Sequence, residues 1–367
     1  MDPALLTTNA FWADPAPRAF DGLGIPAGLD GHVLFATSGS LGIPKWVALS
    51  KKALLISAAA VNRHLQVTGT SCWGLALPIH HVGGFGVAAR AHEAGCRFEH
   101  LDRRWEPMLF SAWADAFAIS HTSLVPTQVH DLVRANCSAP PSLRAVVVGG
   151  ASLDQRTGQA ARDLGWPVLA SYGMTEAGSQ VATQGLELLE MSYQMAALPL
   201  LPHWQARVGL DGLLEIAGPA LFSGHVIEGV FHPREGDWHS TSDRVLLDDH
   251  GLTPLGRADS VIKIFGELVD FEAIEREIMA TANGLTAGSF AIVAIPDDRA
   301  GNLLVPVFES SELMESATSA LAAYSAGAPG YRRLQPAVLI GNFPRSALGK
   351  LRRSELTELT TRHAPPA

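Results

Sequence analysis

Ala36-Thr37-Ser38-Gly39-Ser40-Leu41-Gly42-Ile43-Pro44-Lys45 is the stretch that decides how this chain is read. The apolar run Val33-Leu34-Phe35 enters it and Trp46-Val47-Ala48-Leu49 leaves it, which predicts strand, tight loop, strand. Small hydroxyls and two glycines let a loop backbone approach an anion closely, with amide N–H groups pointing inward. Pro44 stiffens the exit, and Lys45 adds a positive charge. Together these features suit a polyphosphate. A helix-opening phosphate loop of the GxxxxGK[ST] kind needs glycine before the lysine and Ser or Thr after it. Pro44 and Trp46 occupy those places, so that reading fails. Taken alone, the stretch fits a ligand-free Gly/Ser hairpin equally well.

The surrounding chain narrows the choice. Its 367 residues suffice for two domains with a large apolar core. A net charge of −9 and the lack of any Lys/Arg run argue against a nucleic-acid surface. Cys72, Cys96 and Cys137 lie far apart without CxxC spacing, which predicts free buried thiols in a reducing compartment. Met1 to Asp14 lacks the basic start and apolar stretch of a signal peptide. No apolar run reaches the roughly 18 residues that a bilayer span requires. The expectation is a soluble cytoplasmic protein without membrane or nucleic-acid partners.

Taken in order, the chain predicts one helix around Leu5 to Trp12, then the strand–loop–strand, then a helix over 51–65 with Ser50 as N-cap. A buried strand follows at Cys72 to Pro78, a helix over 85–96 and a strand at Arg97 to His100. Helix, strand and glycine turn alternate through Thr122–Pro126 and Leu143–Gly150, as in a layered α/β domain with mostly parallel strands. From about Trp204, short strands with turn signals predict a smaller β-rich subdomain. Gly256-Arg257-Ala258-Asp259 is the expected boundary, giving domains of 1–256 and 257–367. The second begins with a hairpin over Val261 to Val269 and a helix over Phe271 to Met279, and reads as a small α+β domain.

Several constellations carry chemistry. Strand-like Val168-Leu169-Ala170 leads into Ser171-Tyr172-Gly173-Met174-Thr175-Glu176. A strand ending in a glycine turn at the carboxyl edge of an open α/β sheet is where ligands bind. Tyr172 offers a face for a purine, Thr175 a hydroxyl, and Glu176 a hard oxygen suited to Mg²⁺. Val148-Gly149-Gly150-Ala151 is a similar strand-to-glycine turn. Asp243, in Ser240-Thr241-Ser242-Asp243, could accept hydrogen bonds from both ribose hydroxyls. His80-His81 suggests a metal at first sight, but sequence neighbours point apart and no acidic partner stands at helical spacing.

In this order, the motifs resemble those of the adenylate-forming superfamily of acyl-CoA synthetases, luciferases and peptide-synthetase adenylation domains. The loop from Thr37 to Lys45 resembles that family's Thr-Ser-Gly-Ser-Thr-Gly-x-Pro-Lys motif, with Leu41 where a second threonine stands. Tyr172 to Glu176 matches Tyr-Gly-x-Thr-Glu without departure, and Ser242 replaces the glycine of Thr-Gly-Asp. Phe343-Pro344-Arg345-Ser346-Ala347-Leu348-Gly349-Lys350 matches Pro-Arg-x-x-x-Gly-Lys.

The resemblance implies ATP held by Thr37, Ser38, Gly39, Ser40, Gly42 and Lys45, adenine against Gly149, Gly150 and Ala151, and further contacts from Ser171, Tyr172, Gly173 and Met174. It makes Asp243, Arg257 and Lys263 ribose or phosphate contacts, Thr175 and Glu176 catalytic, and Glu176 the Mg²⁺ ligand. His81 falls in the acyl pocket, Asp259 at the hinge of a mobile C-terminal lid, and Lys350 becomes the adenylation lysine. Family members also carry a much longer segment before the phosphate loop, so part of the first subdomain is expected to be reduced here. Leu77-Pro78 with His81, and Leu124 to Gln128, are most similar to the o-succinylbenzoate–CoA ligases of menaquinone biosynthesis.

The implied activity is an ATP-dependent ligase that joins a carboxylic acid to AMP and then passes it to coenzyme A; a homodimer is one assembly open to it. Rival readings are another acyl- or aryl-CoA ligase, an enzyme loading a carrier protein, and a degenerate nucleotide-binding regulator. Retention of Glu176, Asp243, Arg257 and Lys350 argues against the last.

Overall fold

Two strands do flank the phosphate-loop stretch, and they pair antiparallel. The computed structural model describes residues 1–20, 24–37, 45–282, 285, 288–346 and 351–363, with only the backbone at Asp259. Ser38, Gly39, Ser40 and Gly42, and Lys350, therefore lie outside the described residues. By internal contacts the chain divides into two units: Met1–Thr241 with Leu246–Thr253, and Ser242–Val245 with Pro254–Ala367.

The first unit opens differently from expectation. In place of one helix there is a 3₁₀ turn, Pro3–Thr7, and a short helix α1, Asn9–Ala13. Thr8 makes the break: its hydroxyl donates to the Leu5 carbonyl and accepts from the Phe11 N–H, so it caps rather than continues. Strands β1 (Arg18–Ala19), β2 (His32–Thr37) and β3 (Lys45–Ser50) follow. Ser50 Oγ then accepts from Ala53 N at 3.1 Å and starts α2, Lys51–His64. Lys51 is buried under this join, its Nζ donating to the carbonyls of Phe11 and Asp14 and lying 4.4 Å from the Phe11 ring centre.

Next come β4 (Cys72–Leu75), α3 (Val82–Ala94), β5 (Arg97–His100), α4 (Pro107–Ala116), β6 (His121–Leu124), α5 (Pro126–Arg134), β7 (Ala145–Val148), α6 (Gln155–Asp163), β8 (Val168–Met174) and β9 (Ser179–Thr183). Helix α3 begins earlier than its sequence suggests because Gly84 fits beneath the preceding turn; a Cβ there would sit 2.3 Å from the Pro78 carbonyl oxygen. The sheet runs β5-β4-β6-β7-β8-β9, parallel except for β9, which returns antiparallel along β8. β7 is Ala-Val-Val-Val and wholly buried, as a strand covered by helices on both faces must be. Trp166 anchors one flank of the core, stacked on Phe110 and donating to the Cys137 carbonyl at 2.7 Å.

Strands β10 (Gln205–Val208) and β11 (Leu213–Ala217) form a hairpin, followed by β12 (Gly224–Ile227) and β13 (Val230–Pro233). β12 crosses back to pair with β3, so the phosphate-loop hairpin lies in a second sheet, β1-β2-β3-β12-β13. The chain passes into the second unit along β14 (Trp238–Asp248) and β15 (Gly251–Arg257).

The second unit contains the hairpin β16 (Val261–Ile264) and β17 (Glu267–Asp270), helix α7 (Phe271–Thr281), the long hairpin β18 (Phe290–Asp297) and β19 (Gly301–Phe308), α8 (Ser311–Gly327), β20 (Val338–Leu339) and α9 (Arg353–His363). Its core joins Ile274 and Ile278 of α7 to Phe290, Ile292, Leu304 and Phe308. Cys72 and Cys137 are buried, Cys96 is half-buried, and all three are free thiols. Burial pushes the Cys72 thiol up to about 11 and raises that of Cys96 as well. No helix among the described residues is long and apolar enough to cross a membrane.

Candidate active site

Chain geometry brings two distant motifs together in the first unit. Lys45 begins β3, with its carbonyl accepting from Thr37 Oγ1 at 3.2 Å across the mouth of the loop. Glu176 lies in a 3₁₀ turn, Thr175–Ala177, directly after β8. Lys45 Nζ stands 3.8 Å from Glu176 Oε1. The turn is fixed from two sides. Phe222 N donates to the Glu176 carbonyl at 2.8 Å, and Gly178 beyond the turn adopts a left-handed conformation.

Tyr172 and Gly173 flank a register shift in the β8–β9 pairing. Gly173 permits it: a Cβ there would lie 1.8 Å from the Ser179 carbonyl oxygen, inside any tolerable contact. Ser171 turns its hydroxyl to Thr183 and the Ala182 carbonyl of β9. Met174 precedes the 3₁₀ turn, with Thr175 and Glu176 half-buried. Gly149, Gly150 and Ala151 follow β7 at the same carboxyl edge, Gly149 packing 3.6 Å from the Ser171 carbonyl by its Cβ position. His81 precedes α3 and lies against His80, ring centres 4.4 Å apart.

The charge on Glu176 is stabilised. Burial opposes ionisation, but the adjacent His225 imidazole, a backbone N–H, Lys45 and His239 outweigh it and hold the carboxyl below its usual range. An anionic oxygen in a partly open recess, already facing a cation, fits a hard divalent ion brought in with a polyphosphate.

Sequence reasoning missed two histidines, with the phenylalanine they pack on, and, as a third titratable group, an arginine. His225 on β12 places Nε2 3.6 Å from Glu176 Oε1. His239 on β14 is near enough to act on Glu176, and its own pKa is lowered, mainly by burial. Phe222 lies between the two imidazoles, with ring centres 4.6 and 5.0 Å away. The third is Arg90, on α3 and 2% exposed. It donates to Ser123 Oγ at 3.1 Å and Ser179 Oγ at 2.9 Å, and lies over Trp73. Burial brings its pKa down to about 9, so it stays charged at neutral pH. Among the described residues no carboxylate pairs with it. Ser179, its partner, holds φ at 120°, a strained value for a side-chain-bearing residue. A lone arginine in an Ala-rich helix and two strand histidines carry no sequence signal of these roles.

Other predicted residues belong to the second unit. Asp243 Oδ1 and Arg257 Nη1 are 3.2 Å apart. Ser242 is ordinary strand, so the glycine it replaces is not needed for a positive φ. Arg244 pairs with Asp270, which also accepts from Ser260 Oγ at 3.1 Å and caps α7 through Ala273 N. Lys263 is exposed on β16, and Asp259 lies in the 3₁₀ turn Ala258–Ser260. On either side of the Lys350 position, Arg345 and Arg353 are each tied to the rest of the second unit. Arg345 donates to Glu309 and the Gly288 carbonyl, each at 2.7 Å, and bridges to Leu351. Arg353 forks onto Glu275 with two bonds of 2.6 Å.

This arrangement defines a class: an α/β unit that brings a lysine at a strand start to a carboxylate after a parallel strand, followed by a small α+β unit. Residues 25–215 match the AMP-binding enzyme family, and the chain belongs to it. The chain is 25% identical over 331 residues to 2-succinylbenzoate–CoA ligase of Listeria monocytogenes, covering 88% of this chain and 68% of that protein. Against the enzyme of the same name from Salmonella typhimurium it is 32% identical over 276 residues, 74% of this chain and 57% of the other. A structure of Escherichia coli MenE with bound OSB-AMS superposes with a TM-score of 0.74 at 25% identity, over 90% of this chain and 69% of that one. The chain thus spans between 57% and 69% of the length of these relatives.

Proposed function

We propose that the chain is an ATP-dependent acid–CoA ligase whose acid is an aromatic dicarboxylate of the o-succinylbenzoate type. The observation that carries the reading is the 3.8 Å approach of Lys45 to Glu176, which joins a phosphate-loop exit to a metal-type carboxylate. In this reading residues 1–256 bind ATP and the acid, and residues 257–367 form a lid that brings Lys350 to the reaction. Lys45 and the loop before it hold the β- and γ-phosphates, while Tyr172 and Gly149 to Ala151 seat the adenine. Asp243 accepts from the ribose hydroxyls with Arg257 beside it. The acid carboxylate attacks the α-phosphorus, the bond to the bridging oxygen breaks, and pyrophosphate leaves. Lys350 stabilises the charge that builds between acid and α-phosphate. A magnesium ion on Glu176 would neutralise the departing pyrophosphate. The thiol of coenzyme A then displaces AMP from the adenylate.

Arg90 supports the dicarboxylate. Among the described residues this buried guanidinium is bonded only to hydroxyls and a π-face, a costly charge that a second carboxylate on the substrate would offset. A fatty acid offers nothing to it. ATP–pyrophosphate exchange with o-succinylbenzoate, benzoate and medium-chain fatty acids tests this directly. Exchange driven by o-succinylbenzoate alone is expected; exchange with a monocarboxylate and none with the dicarboxylate would refute the substrate class. ATP binding with no exchange for any acid would refute the ligase.

A further inference from the structure

Resting on that reading, we propose that His225 is a second protein ligand, beside Glu176, for the divalent ion that enters with ATP, and that it turns the site toward manganese or cobalt. His225 Nε2 is buried, and among the described residues it has no hydrogen-bond partner within 3.5 Å. The charged group it faces is Glu176 Oε1 at 3.6 Å, a long contact suited to two atoms sharing a third partner. Two donors each about 2.1 Å from one ion stand about 3.0 Å apart at a right angle and about 3.6 Å apart near 120°. The observed spacing is within that reach after at most a small closing movement.

The scaffold makes the placement rigid. β12 pairs with β3 so that His225 faces Val47 and Ile227 faces Lys45, setting the histidine two residues along from the phosphate-loop exit. Phe222 packs against the imidazole at 4.6 Å, and its N–H holds the Glu176 carbonyl. The described residues contain no group of three or more His, Cys, Asp or Glu able to hold an ion alone. Two protein donors plus phosphate oxygens is the arrangement expected for an ion carried by nucleotide. An all-oxygen set favours magnesium, whereas an imidazole nitrogen shifts preference toward later first-row ions.

The test uses the full chain with Mn²⁺ and a non-hydrolysable ATP analogue, read by pulsed electron paramagnetic resonance. A directly bonded ¹⁴N coupling is expected. It should vanish in His225→Phe and in His225→Gln, which keeps a polar group should the first variant fold poorly, and persist in His239→Phe. Loss of the nitrogen should also lower the Mn²⁺ over Mg²⁺ binding preference by about tenfold or more. Mn²⁺ bound with the analogue but showing no nitrogen coupling, or coupling retained in both His225 variants, overturns the ligand assignment and leaves the ligase reading standing. If neither the analogue nor Mn²⁺ binds, the nucleotide site itself is refuted, and this proposal with it.

Discussion

Arg90 concentrates the substrate argument in one side chain. A charge-assisted bond contributes about 1.5–3 kcal/mol, so removing it should raise KM for o-succinylbenzoate by roughly tenfold to a hundredfold. Arg90→Met is the variant, and steady-state kinetics the measurement; an unchanged KM would take the guanidinium out of the acid site. Its hydroxyl partners, Ser123 and Ser179, make Arg90→Lys a further comparison, since an ammonium cannot bridge both in the same plane. Lys350 offers a different split. Lys350→Ala should cut adenylate formation by about a hundredfold or more, with thioester formation from pre-made adenylate largely kept. Equal loss in both half-reactions would count against its role. The sequence singles out Lys45 and Glu176, which stand 3.8 Å apart in the structure, because each sits in a motif with its own chemical sense. It does not single out Arg90, His225 and His239, because their contacts arise only when distant strands and helices meet.

Among the elements, the β8–β9 turn is the least forgiving. Gly173→Ala places a Cβ on the Ser179 carbonyl, so the register shift that presents Tyr172 and Glu176 must be rebuilt. A loss of at least about 1–3 kcal/mol in stability is expected, with nucleotide affinity falling alongside, measured by denaturant unfolding and ATP titration. In the second unit the arginine fork on Glu275 ties α9 to α7 and β18. Arg353→Met would strand a buried carboxylate at a cost of about 3–5 kcal/mol, whereas replacing Arg353 and Glu275 together by apolar residues should recover most of it. A double-mutant cycle on melting temperature checks this. Secondary structure at this scale was largely readable, since Ser50, the buried β7 run and the β16–β17 hairpin obey local rules. The exception was the first helix. Thr8 can either continue a helix or cap one, and sequence alone does not decide between them.

Across the whole molecule, stability is expected to depend on pH through buried His121 and half-buried His203. Burial brings His121 down to about 4, the Leu65 carbonyl opposing and Arg144 adding to the effect. His203 is likewise brought to about 4 by burial and by Arg63. The unfolded chain protonates these groups near pH 6.5 and the folded chain does not. Stability is therefore fully present above about pH 6.5 and declines as pH falls toward 4. For His121 the gap of about 2.5 pH units amounts to about 3 kcal/mol. Urea unfolding between pH 8 and 4.5 should show the decline, and His121→Asn should flatten it. The return of β12 to β3 was not readable in the sequence, because no local pattern marks a strand that crosses between sheets.

All three cysteines belong to the first unit, where Cys72 and Cys137 are buried and Cys72 and Cys96 hold their protons well past neutrality. Maleimide dyes at pH 7 would thus largely ignore the native thiols. A single Leu268→Cys, at a side chain 68% exposed on β17, would then accept a fluorophore almost alone. Paired with a fluorescent ATP analogue, it would become an optical ruler, on which the lid motion proposed above would register as a distance that changes with each turnover and its absence as one that does not.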